Sequence, residues 1–110
     1  MTARDVQEIL RRIRGKIETG ELRVTQHAQQ EMVEEDITLG EVIEAMSTGT
    51  ILEDYPQHRR GPCCLIAGET AHRRPLHVVC ATDLPVVIVI TTYEPRPPKW
   101  VTPSRRRETR

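Results

Sequence analysis

Aromatic side chains are scarce in this 110-residue chain, which has one Trp, two Tyr and no Phe. A core must therefore be built from Val, Ile, Leu, Met and Ala. Net charge is also missing: 16 basic residues balance 16 acidic ones, at a pI near 6.9, which argues against a tail devoted to nucleic acid. Long apolar runs are absent too. The longest, "VVIVI" at 86–90, is far too short to span a bilayer, and the amphipathic, charged start does not resemble a signal peptide. Cysteine is sparse and odd in number, with Cys63 beside Cys64 and Cys80 apart. That excludes a disulfide framework and points to reduced thiols in a soluble, cytoplasmic protein.

What is present is unevenly placed. Residues 1–55 carry 12 acids against 6 bases, and residues 56–110 carry 4 against 10, so −6 faces +6. Such asymmetry suits a basic face for RNA, DNA or an acidic partner; it equally suits a Glu-rich helical layer over a sheet with Arg-rich edges. The length fits one domain with a real core.

In residues 5–19, Val6, Ile9, Leu10, Ile13 and Ile17 recur at helical spacing, with Asp5 in the first turn and Gly20 as the stop. "ELRVT" (21–25) is a short extended piece. Thr25 can cap a second helix with a thin stripe of Ala28, Met32 and Val33. Thr38 and Glu41 form a capping box for a third, in which Leu39, Val42, Ile43 and Met46 face inward and Gly49 ends the helix. The period then becomes that of strands at 50–55, 63–68, 75–82 and 86–93. Their short connectors require antiparallel neighbours. Residues 1–20 therefore read as a helical extension and 21–100 as an α+β domain, with helices on an antiparallel sheet of about four to five strands. Residues 101–110 read as a basic, disordered tail following a proline-rich arm that frays beyond Trp100.

Five segments in order, "HAQQEMVEEDI" (27–37), "GTILEDYP" (49–56), "GPCCLIAG" (61–68), "RPLHVV" (74–79) and "TTYEPRPPKW" (91–100), resemble the bacterial domain-of-unknown-function 4258 family. The resemblance covers roughly residues 22–100. It implies a RelE-like fold related to toxins of type II toxin–antitoxin pairs. Toxins of that group typically cleave RNA, many acting on mRNA within the ribosome. It also implies a small zinc-finger or helix-turn-helix partner as cognate antitoxin.

Metal-free cleavage through the 2′-hydroxyl needs a base, cations for the phosphate oxygens and an acid. Histidine and arginine suit these roles. The candidates are His77, Arg74, Tyr93 and His27 for chemistry. For RNA contact they are Arg73, the pair Arg59 and Arg60, and Arg96, Lys99 and Trp100, with the indole free to stack on a base. Each also has a structural reading. His77 lies in an apolar strand and can bond a buried carboxylate or carbonyl, docking the helix near His27. His27, at a helix N-terminus, can stay neutral and bond His77 or the sheet. Trp100 can fold back over a sheet edge, Tyr93 can cap the core, and "EMVEED" reads as a solvated helix face. Adjacent cysteines point to opposite strand faces and no C-x-x-C occurs, so neither metal nor cofactor is expected. Two functions are carried forward: an RNA-cleaving toxin, and a catalytically silent module that docks a small zinc-finger or helical partner. An edge strand at 50–55 permits a homodimer.

Overall fold

Asp5 starts the first helix by turning its carboxylate back on the chain. In the computed structural model, which describes residues 5–59, 61–83 and 85–106, its Oδ1 accepts from the backbone N–H of Gln7 (3.1 Å) and Glu8 (3.2 Å). That cap opens α1 (Val6–Glu18), which buries Ile9, Leu10 and Ile13. After β1 (Leu22–Val24), Thr25 caps α2 (Gln26–Glu35) by accepting from Ala28 N at 3.1 Å. The reciprocal Thr38–Glu41 capping box opens α3 (Leu39–Thr48). Four strands follow: β2 (Thr50–Tyr55), β3 (Cys63–Glu69), β4 (Pro75–Ala81) and β5 (Val87–Tyr93). The short strands β6 (Trp100–Thr102) and β7 (Arg105–Arg106) complete the order.

The five-stranded sheet runs β1-β5-β4-β3-β2. It is mixed, not antiparallel as expected: β2 to β5 form an antiparallel meander, but β1 lies parallel to β5, with Leu22 opposite Val87 and Val24 opposite Val89. Short connectors dictate orientation only between consecutive strands. β1 reaches β5 after two helices and three strands, so that constraint does not apply to it. Among the described residues no helix is long and apolar enough to cross a membrane.

All three helices lie on one sheet face, where they share a core with Cys64, Ile66, Leu76, Val78, Cys80, Val87 and Val89. Burying each larger apolar side chain there contributes about 2 kcal/mol. Contact between α3 and β3 is close enough to require glycine. A Cβ on Gly68 would lie 2.0 Å from Ala45 O, and one on Gly49 would lie 2.5 Å from Ala67 O. Gly49 thus ends α3 with an extended φ of −84°, and close approach rather than a left-handed turn accounts for it.

Two residues expected inward are not. Val33 is 83 % exposed and Leu39 47 %. On α2 the sheet-facing positions at helical spacing from Ala28 are held by Glu31 and Glu35, which leaves Val33 on the far side. Leu39 is the first residue of α3, before the helix reaches the core.

The chain beyond Trp100 also departs from expectation. β6 and β7 pair as a hairpin, Trp100 opposite Arg106 and Thr102 opposite Arg105, over residues expected to be a loose tail. Trp100 is 2 % exposed, anchored on the sheet face that the helices leave open. Residues 107–110 lie outside the described residues.

Candidate binding cleft on the second sheet face

Alternation along β4 turns Leu76, Val78 and Cys80 to the helices and His77 and Val79 to the opposite face. His77 is opposite Ala67 on β3 and Tyr93 on β5. Its ring is 1 % exposed, beneath the hairpin. Nε2 lies 2.5 Å from Pro103 O, and a carbonyl can only accept, so Nε2–H donates. In the neutral ring Nδ1 is then left to accept from the Tyr93 hydroxyl at 3.3 Å. Burial holds the imidazole pKa below its ordinary value, and the charges of Arg106 and Lys99 act in the same direction against Pro103 and Glu53. The Trp100 indole meets the ring edge-on, centroids 4.3 Å apart at 86°.

A clasp at the sheet surface secures this arrangement. Arg106 donates from Nε to Glu53 Oε2 (3.2 Å) and from Nη2 to Oε1 (2.7 Å), and its guanidinium lies 4.5 Å from the Trp100 ring centroid. The Tyr55 hydroxyl donates to the same carboxylate. The Arg106 hydrogen bond brings the Glu53 carboxyl below its usual range, while burial and then Glu53 push the Tyr55 phenol up, so it stays protonated. Burial also raises Tyr93; the Trp100 indole pulls against that rise without reaching hydrogen-bond geometry.

Beside the clasp opens a cleft of about 530 Å³. Leu65, Val79 and Thr91 of the sheet line it with Tyr55 and Tyr93, together with the carboxylates Glu31, Glu35 and Glu94 and with Arg96, Lys99, Trp100 and Arg106. The three carboxylates are already engaged. Glu31 Oε1 accepts from Thr92 N (3.1 Å) and from the Thr91 hydroxyl, and Glu35 Oε1 accepts from Glu94 N (3.0 Å). Glu94 Oε1 receives Arg74 Nε (2.8 Å) and pairs with Arg96 (3.4 Å), which also pairs with Glu35 (3.5 Å). Glu31 and Glu35 therefore serve the outer edge of β5 beyond its pairing with β1, and the reading of "EMVEED" as a solvated face fails for them.

The structure brings His77 and Tyr93 together and places Arg96, Lys99 and Trp100 around the adjoining cleft. It does not bring Arg74 there as a free cation. Arg74 donates to Glu35 O (2.6 Å) and Asp36 O (2.9 Å), tying the C-terminus of α2 to the Glu94 carboxylate, and Glu94 holds its pKa above the ordinary value. His27 stays apart from His77: its ring, 68 % exposed, stands 3.5 Å from Glu31 Oε1. Arg73 is exposed in the β3–β4 turn at φ +65°, and Arg59 is exposed in the β2–β3 loop; neither lines the cleft. Arg60 lies outside the described residues. Cys64 and Cys80 are buried across from each other, sulfurs 3.9 Å apart, and their contact lifts the Cys80 thiol pKa. Among the described residues no group of three or more His, Cys, Asp or Glu is placed to hold a metal ion.

Sequence reasoning missed Glu53, Tyr55, Pro103 and Arg106. For the first two a signal existed, since residues two apart on a strand share a face. For Arg106 and Pro103 there was none, because their positions depend on the hairpin. Glu31 and Glu35 carried a signal as well, four residues apart on the helix that also bears Ala28.

No curated protein and no solved structure matches the chain. Residues 24–94, from the last residue of β1 through β5, match a family described as Domain of unknown function (DUF4258). The match takes in α2, α3 and the meander, including the strand that carries His77, but not α1, and the chain belongs to that DUF4258 family.

Proposed function

We propose that this protein is a catalytically silent, RelE-like protein-interaction module that holds a small zinc-finger or helical partner against the cleft on the second sheet face. The observation that carries this reading is the sealed imidazole. The residue best suited to act as base is neutral and 1 % exposed, with both ring nitrogens committed, to Pro103 O and the Tyr93 hydroxyl. A general base must reach the proton it abstracts, and the intended phosphate clamp, Arg74, already spends its donors on Glu94 and the end of α2. A half-apolar cleft lined by both signs of charge is better suited to a polypeptide than to a polyanion, which three carboxylates repel.

The test pairs two measurements. Purified chain incubated with single-stranded RNA between pH 5 and 9 leaves it intact, and induced expression does not arrest growth. A small zinc-finger or helical protein co-elutes with the chain from its own cells, and Val79→Arg in the cleft abolishes that complex without unfolding the chain. RNA cleavage that disappears in a folded His77→Ala variant overturns the proposal in favour of a ribonuclease toxin.

A further inference from the structure

The hairpin is joined to the molecule unlike any other element. It adds no strand to the five-stranded sheet, and its two strands pair only with each other. It reaches the sheet through the Trp100 indole on His77, Arg106 on Glu53 and the main-chain carbonyl of Pro103 on His77 Nε2. The connection from β5 passes through Pro95, Pro97 and Pro98 in a turn closed by the Trp100 N–H donating to Arg96 O (3.1 Å), so the hairpin hangs from the sheet by a short proline-rich arm. Closure is imperfect as well, because the buried Trp100 Nε1 has no hydrogen-bond partner among the described residues. Buried donors are rarely left unsatisfied in a contact selected only for stability.

We propose that the hairpin is a self-docked segment occupying a groove that a partner enters by displacing it. The partner presents a turn carrying an aromatic residue and an arginine, the pattern that Trp100 and Arg106 supply in cis. The chemistry of the groove defines that occupant. Glu53 with the Tyr55 hydroxyl forms an acidic fork matched to a guanidinium. The face of the groove beside it offers the His77 ring edge to an aromatic group, and His77 Nε2–H donates to a main-chain carbonyl. This inference deepens the binding reading above and rests on it.

Trp100 is the only Trp in the chain, so its fluorescence reports the hairpin directly. In full-length chain, Arg106→Glu sets two carboxylates against each other and raises acrylamide quenching of Trp100 about threefold. A fluorescein-labelled peptide of residues 99–106, KWVTPSRR, binds the opened variant at least tenfold more tightly than the native chain, whose groove is filled. The double variant Glu53→Arg with Arg106→Glu restores shielding of the indole and again excludes the peptide. If charge reversal unfolds the chain, Arg106→Ala replaces it with the same readouts. A folded variant whose indole stays as shielded as in the native chain overturns the proposal, and so does an opened variant that ignores the peptide. In either of those cases a native chain that still co-elutes with a small zinc-finger or helical protein leaves the interaction-module reading standing; loss of that binding removes both.

Discussion

On the helix side of the sheet, Gly68 lets α3 come so close that one methyl group would overlap a carbonyl, and the buried residues are almost all apolar. On the hairpin side the cover is polar and aromatic: an imidazole, two phenols, an indole and a guanidinium–carboxylate fork. The first surface excludes water by shape and leaves nothing to exchange. The second is held by groups that water or another chain could satisfy equally well, and such contacts contribute little net stability where they reach solvent. One sheet thus has a permanent side and a negotiable one.

Breaking the permanent side has the largest expected effect. Gly68→Ala forces β3 and α3 apart and lowers stability by about 3 kcal/mol, a drop in Tm of about 15 °C by calorimetry. An unchanged Tm would show that the two elements separate freely. Next comes the junction between helix and sheet edge. Glu31→Ala leaves Thr92 N–H and the Thr91 hydroxyl without their acceptor and costs about 2 kcal/mol in urea denaturation. Hydrogen exchange at Thr92 quickens accordingly. On the negotiable side, Arg106→Ala costs only about 1 kcal/mol, because the ion pair is 40 % and 28 % exposed. The hairpin loosens before the sheet does, and urea unfolding followed by Trp100 fluorescence then precedes unfolding followed by circular dichroism.

The smallest effect is a slope against pH. Burial keeps the folded His77 pKa below the ordinary 6.5. As pH falls past about 6.5 the unfolded chain takes up a proton that the folded chain refuses, so stability declines until the folded pKa is reached. Glu53 and Glu41, held below 4.5 by Arg106 and by the Thr38 backbone N–H respectively, lose their contributions only at lower pH. His77→Gln, whose amide can still donate to Pro103 O, flattens the decline that begins as pH falls past about 6.5. A slope that persists in this variant assigns it to another group.

Much of the inner half is legible in the sequence. Ile9, Leu10 and Ile13 announce α1 by spacing, Thr38 and Glu41 announce the start of α3, and the Pro- and Gly-punctuated runs announce four strands. These are local signals, in which each residue's neighbours in sequence are its neighbours in space. The parallel seat of β1 was hidden because Leu22 and Val87 meet only after most of the chain has folded between them. The hairpin was hidden for the same reason: "PRPPKW" and the arginines after it have the composition of a tail, and only Glu53 and His77, far back in sequence, make them ordered. For the site, His77 and Tyr93, which the structure brings into contact, were both singled out, yet their solvent access depends on Trp100 and Pro103, which no periodicity reveals. Glu31 and Glu35 look like solvated charge in sequence because carboxylates usually are.

β5 begins with the last four residues of "VVIVI", a segment prone to recruit other chains if its rim were bare. Its first half is occupied by β1, and farther along two glutamates stand in for a sixth strand by taking the amide protons of Thr92 and Glu94. Side chains can satisfy those amides but cannot be extended, so fibre-like growth finds no template there. The acidic pair on α2 thereby acts as a stopper against aggregation, and neutralising it should lower solubility as well as stability.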